Sequence, residues 1–99
     1  MQKDFLIAID EICTIHQIEG SFIRSLQKSG LIEITTIEEI GFIDADQLQQ
    51  LEKYIRFYYD LDINLEGIET IMHLLQRLNS LQEEVKMLRN RLLIYESNL

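Results

Sequence analysis

The residues able to do chemistry are few, and their spacing argues against catalysis. Cys13 is the single cysteine, so it forms no internal disulfide. No base stands near it to hold a thiolate. Its spacing with Ile9 and Ile12 is that of a small buried apolar residue. His16 and His73 lie far apart, with no partner at ligand spacing around either, so no metal site is expected. His16 falls instead at the end of the first expected helix, where a cation suits the helix dipole. Glu38-Glu39 and Glu83-Glu84 are adjacent pairs. Sequence neighbours do not face each other on a helix or a strand, so neither pair makes an acid–base couple. There is no Gly-rich phosphate loop, no nucleophile elbow and no zinc spacing. The chain reads as no enzyme, with no metal and no cofactor.

What remains is binding, and the elements that would position it. The strongest is a long helix near the chain's end. Ile71, Leu74, Leu78, Leu81, Val85, Leu88, Leu92 and Tyr95 are separated by alternating steps of three and four. That is a heptad seam with no Gly or Pro inside it. At about 1.5 Å per residue it extends for roughly 36 Å. A lone helix cannot bury so long a stripe, and the preceding chain is too short to supply an equal partner. The seam therefore predicts a homodimer joined by a coiled coil, in preference to a helix folded back on its own head. The flanking charges lean toward a parallel pair. Glu84 would meet Arg89 and Arg91 would meet Glu96 of the second copy, each pair contributing only a few tenths of a kcal/mol, on the order of 0.3.

Charge divides the chain in the same place. Residues 66–99 hold five acids and four bases, a net of −1, whereas residues 1–65 hold twelve acids and five bases, a net of −7. We read 1–65 as a head domain and 66–99 as the long C-terminal helix. An acidic head repels nucleic acid and anionic lipid and draws basic partners. The composition, 46% apolar and 26% charged, is that of a soluble globular protein. No apolar run is long enough to span a bilayer. The first residues do not make a signal peptide, and a cytoplasmic location is expected.

Within the head, residues 5–9 read as a strand or extended lead-in. Asp10 is placed to cap a first helix over residues 10–16, with Ile12 and Ile15 inward. Ser21 is placed to cap a second over residues 22–29, with Phe22, Ile23 and Leu26 inward and Gly30 as its left-handed stop. Two short helices across a tight turn read as helix-turn-helix. The β-branched residues of 31–43 predict two short strands, a wing. Asp44 opens a third helix over residues 45–61 whose inward face is Leu48, Leu51, Ile55, Tyr58 and Tyr59. Tyr54 and Phe57, one turn apart, would form a second patch, packed on the partner's long helix or serving as a binding anchor. Asn64 caps the fourth helix.

This order of elements resembles the MerR-type winged-helix family over nearly the whole chain. The segments RSLQKSGLIE (residues 24–33) and FIDADQLQQLEKYIRFYYDLDINLEGIETI (residues 42–71) are similar to its second helix and later helix pair. The stretches IDEIC (residues 9–13) and LQEEVKMLRNRLLIYE (residues 81–96), together with the missing wing arginine, resemble the CbpM chaperone-modulator family more closely. That resemblance implies a mostly α fold: a MerR-like winged helix-turn-helix head with a C-terminal coiled-coil dimerisation helix. It implies a protein that binds the J-domain of a CbpA-type, DnaJ-like co-chaperone and blocks its work with DnaK.

The departures separate these readings. A winged helix that reads DNA needs cations on its second helix and wing, because neutralising phosphates supplies most of the affinity. Residues 10–43 carry Arg24 and Lys28 against Asp10, Glu11, Glu19, Glu33, Glu38 and Glu39, a net of −4. Gly41 stands where DNA-binding relatives place the wing arginine, and Ser25-Leu26 replaces an aromatic pair after Arg24. The resemblance supplies a better-matched partner, since J-domains present a basic helix to DnaK, and complementary charge speeds and selects such an encounter. The contact residues expected on this account are Glu11, Glu19, Glu33, Glu38 and Glu39, with Arg24 as counter-partner. The alternative is a MerR-type DNA-binding transcription regulator.

Overall fold

The structure, a computed structural model, describes residues 5–97. Its elements are β1 (Leu6–Ala8), α1 (Ile9–His16), α2 (Gly20–Lys28), β2 (Thr35–Ile37), β3 (Ile40–Asp44), α3 (Leu48–Ile55) and α4 (Leu65–Ser97). The strands form one antiparallel sheet in the order β1-β3-β2, with Ile7 opposite Ile43 and Ile37 opposite Ile40. A helix pair followed by a two-stranded hairpin is the expected winged helix-turn-helix, with β1 adding a third strand to the wing's sheet. The chain divides at residues 69/70 into two compact units. Among the described residues, no helix is long and apolar enough to cross a membrane.

The first unit closes over a small apolar core. Ile12, Ile23, Leu26, Ile43, Leu51 and Ile68 are fully buried, and Phe22, Ile18, Ile32 and Tyr54 nearly so. Each such side chain removed from water contributes about 1.5–3 kcal/mol. These residues come from α1, α2, both following loops, β3, α3 and the first turn of α4, while β1 and β2 are held to β3 by their backbone pairing.

Both early helices end on a left-handed residue. Gln17 (φ 56°) stops α1, and the Ile18 N–H then reaches the Cys13 carbonyl at 3.0 Å. Gly30 (φ 80°) stops α2; its N–H bonds to Gln27 and that of Leu31 to Leu26, each at 3.0 Å. This is the Schellman pattern, which satisfies the carbonyls a helix end leaves open, and a glycine enters it without steric cost.

The starts of these helices correct the expectation. α1 begins one residue earlier, behind Ala8, and places Asp10 in its first turn. α2 begins at Gly20 behind Glu19, so Ser21 lies inside the helix, and its hydroxyl donates to the Glu19 carboxylate at 3.3 Å. Neither Asp10 nor Ser21 is the capping residue. The carboxylates of Asp10 and Glu11 still meet the positive end of α1. Ile15 is 65% exposed, not inward. An eight-residue helix meets the core along the narrow line through Ile12, and a residue three places on is turned about 60° from that line.

The third helix is not one helix. A 3-10 turn, Ala45–Gln47, leads into α3, and a π turn, Arg56–Asp60, follows it. The π turn is closed by the Leu61 N–H on the Arg56 carbonyl at 3.0 Å. One residue more per turn rotates everything after it away from a regular helical register. The inward pair is therefore Leu51 and Tyr54, whereas Tyr58 and Tyr59 are 40% and 42% exposed. Tyr54 belongs to the head's own core, and its hydroxyl donates to the Leu31 carbonyl at 3.2 Å. It is not part of a surface patch with Phe57, which is half-buried. The helix starting at Leu65 does begin as expected: Asn64 Oδ1 accepts the Gly67 N–H at 2.8 Å.

Candidate functional site

The carboxylates and Arg24 are carried by five different parts of the head. Arg24 stands exposed on α2 and lines a groove of about 370 Å³ with Asp10, Gln27, Glu39, Ile40 and Gly41. This is the surface between the helix pair and the wing, where a winged helix would meet a phosphate backbone. Its one cation is accompanied by two carboxylates. Gly41 sits under α1: a Cβ placed there would lie 2.8 Å from Ile9 Cδ1 and 3.3 Å from Ile34 Cγ2. The position expected for a wing arginine is thus occupied by packing.

Glu38 and Glu39 form the two-residue turn of the wing, with φ of 51° and 68°. A hairpin turn of this shape normally uses Asn-Gly, because both central residues are left-handed. Here two glutamates hold it and project from the wing's tip, flanked by exposed Ile37 and Ile40.

Glu19 lies in a second place, a cleft of about 280 Å³ between the start of α2 and the π turn. Phe22, Ser25, Tyr58, Tyr59 and Leu65 share its walls. The Phe22 ring is buried with its centroid 4.5 Å from that of Tyr58 and 5.4 Å from that of Tyr59, and the two tyrosine rings are 5.0 Å apart. The Glu19 N–H donates to the Tyr59 hydroxyl at 3.3 Å, tying the α2 start to the π turn. Sequence reading missed Tyr58 and Tyr59 as surface residues, because a regular helix over residues 45–61 turns them inward. No residue type in 56–60 signals the π turn.

Glu11 is exposed on α1, and Glu33 is exposed in the loop before the wing. The Glu33 backbone is held at both ends by Gln47: its N–H donates to Gln47 Oε1 at 2.8 Å and its carbonyl accepts from Gln47 Nε2 at 2.9 Å. The structure therefore gathers Arg24 with Glu39, puts Glu19 beside the tyrosines, and leaves Glu11 and Glu33 apart from both groups.

Cys13 is half-buried. Burial, and behind it the Asp10 charge, pushes its thiol up, with Arg24 pulling the other way. A thiol held protonated is a poor nucleophile. Among the described residues, no three His, Cys, Asp or Glu side chains gather to hold a metal ion.

The second unit consists of the remainder of α4. Along it the seam residues are open to solvent: Leu74 57%, Leu78 50%, Leu81 52%, Val85 53%, Leu88 55%, Leu92 55% and Tyr95 64% exposed, with Ile71 half-buried. Every residue from 73 to 97 is exposed, the seam and its polar neighbours alike.

A family model described as MerR HTH family regulatory protein matches residues 7–90. No curated protein and no solved structure matches the chain.

Proposed function

This chain belongs to the MerR helix-turn-helix family of regulatory proteins, and from that premise we propose that its head regulates by binding a basic polypeptide instead of DNA. The observation that carries this reading is the groove between α2 and the wing. Arg24 stands there among Asp10 and Glu39, and Gly41 packs beneath Ile9. A phosphate backbone approaching that surface meets two negative charges for one positive, and a single cation releases too few counterions to drive DNA binding against them. A basic helix meets the same surface with complementary charge.

The polypeptide we propose is the J-domain of a CbpA-type, DnaJ-like co-chaperone, with the head covering the helix it uses to meet DnaK. The protein is then a non-catalytic, cytoplasmic modulator similar to the CbpM family. The IDEIC and LQEEVKMLRNRLLIYE segments and the lack of a wing arginine support that narrower placement. The working form is a homodimer joined along the seam from Ile71 to Tyr95, since a half-exposed stripe of leucines has a second copy as its natural cover. MerR relatives pair these helices antiparallel, while the Glu84–Arg89 and Arg91–Glu96 pairs favour parallel. Exchange between copies labelled at one end of α4 distinguishes the two.

The test is direct binding. Purified full-length protein should capture a J-domain protein from its own cell at low salt, and lose it as salt is raised. Absence of capture at low salt, together with a salt-dependent shift of duplex DNA, would replace this reading with transcription regulation.

A further inference from the structure

The π turn has a geometric consequence at the surface. Consecutive residues of a regular helix point about 100° apart, so neighbouring tyrosines do not normally share a cleft. Here Tyr58 and Tyr59 do. Both line the cleft that contains Glu19, and both also line a second cleft with Asp62, Ile63 and Asn64. The pair is a ridge between two hollows, and each hollow contains a carboxylate. No Lys, Arg or His lines either one.

The ridge is built to stay in place. Phe22, 5% exposed, packs beneath both rings, and the Glu19 N–H holds the Tyr59 hydroxyl. A tyrosine already fixed in this way gives up little conformational freedom on binding, which is why such residues dominate interface energetics. Their faces attract cations, and a nearby carboxylate strengthens the preference for one. An acidic peptide would meet Glu19 and Asp62 as like charges. A purely apolar peptide would leave the charges of Glu19 and Asp62 without a counter-charge.

We infer that the Tyr58–Tyr59 ridge, with Glu19 on one side and Asp62 on the other, is the seat for Arg or Lys side chains of the partner polypeptide, one in each hollow. This rests on the reading that the head's target is a basic polypeptide, and it names where that target is gripped. The seat is distinct from the groove around Arg24, whose two carboxylates to one cation disfavour a phosphate backbone and offer the same basic partner a second surface of complementary charge.

The experiment titrates the full-length protein with a capped helical peptide of alanine carrying Arg and Lys, and follows the ring resonances of Tyr58 and Tyr59. The expected result is saturable movement of both rings. Glu19→Gln and Asp62→Asn should each weaken the peptide about threefold, and Tyr58→Leu about tenfold, whereas Glu83→Gln, an equal charge change on α4, should stay within twofold. Glu19→Gln and Asp62→Asn alter only exposed groups, so they decide the matter even if Tyr58→Leu perturbs the fold. Rings that do not move, or unchanged affinity in both carboxylate variants, overturn the inference. The same variants are then measured against a J-domain protein. Capture of the J-domain with unchanged affinity in all three variants leaves the J-domain reading standing and the seat refuted. Peptide binding at the ridge without J-domain capture refutes the J-domain and retains the seat.

Discussion

The Tyr54 hydroxyl donates to the Leu31 carbonyl at 3.2 Å, joining α3 to the residue that completes the end of α2. Removing the donor with Tyr54→Phe leaves that carbonyl without this partner and should cost about 1 kcal/mol. For a domain of this size that lowers Tm by about 4–8 °C. Burial also pushes the Tyr54 phenol up. The neutral form is the one that donates, and its folded pKa stands above the unfolded value of about 10. Its contribution is therefore complete below about pH 10 and is lost as pH rises through the folded value. Denaturant midpoints across alkaline pH should fall less steeply in Tyr54→Phe than in the wild type.

The wing's turn is held by two glutamates in a conformation that disfavours them. A left-handed residue other than glycine costs about 1–2 kcal/mol. Glu39→Gly should therefore stabilise the protein by about 1 kcal/mol, read as a higher urea midpoint with an unchanged slope. If Glu38 and Glu39 contact the partner as proposed, Glu38→Gln/Glu39→Gly weakens J-domain capture while stability rises. An unaltered capture would remove the wing tip from the interface.

Restoring the wing cation should not restore DNA binding. Gly41→Arg brings a Cβ to within 2.8 Å of Ile9 Cδ1, the far end of a flexible side chain that can turn aside, so the cost should stay at or below about 1 kcal/mol, the low end for overpacking. It also leaves residues 10–43 net negative, since one added base takes their net charge of −4 to −3. Thermal melts should shift only slightly, and gel shifts at low salt should show no retarded duplex. A retarded band would place the barrier at that single residue.

The seam can be broken at its middle. Leu81 and Val85 are 52% and 53% exposed along α4, and Leu81→Glu puts a charge where a paired helix would bury it. The dimer dissociation constant should rise at least tenfold, about 1.4 kcal/mol, by sedimentation equilibrium. Helicity of α4 should fall with it, because an unpaired helix has little besides its own backbone to hold it. A sedimentation profile identical to the wild type would exclude this seam as the dimer contact.

Much of the architecture was legible in the sequence because it is written in spacing. Phe22, Ile23 and Leu26 mark the buried side of α2, Gly30 marks its end, Asn64 marks the start of α4, and the β-branched run of 31–43 marks the hairpin. Those signals are local, and nothing distant competes with them. The failures occurred where distant contacts decide. Asp10 and Ser21 have capping chemistry, but β1 and the Glu19 turn set the helix starts ahead of them. Tyr54 and Tyr58 are chemically identical, and only the π turn between α3 and Asp60 tells which one faces the core. The candidate contacts came from charge alone, and charge does not say which carboxylates share a surface. Glu19 meets Tyr58 and Tyr59 across forty residues of chain, a grouping that exists only in three dimensions.

Gln47 treats Glu33 as a neighbouring strand would, meeting its N–H and its carbonyl from one planar amide. The approach of the wing loop to the third helix is thus specified by the main chain at position 33 and is indifferent to what that residue carries. Evolution is free to rewrite the side chain there, charge included, with proline alone forbidden because it lacks the N–H. Position 47 enjoys no such licence. A lineage could retune the outer face of this loop for a new target many times over while one glutamine keeps its scaffold in register.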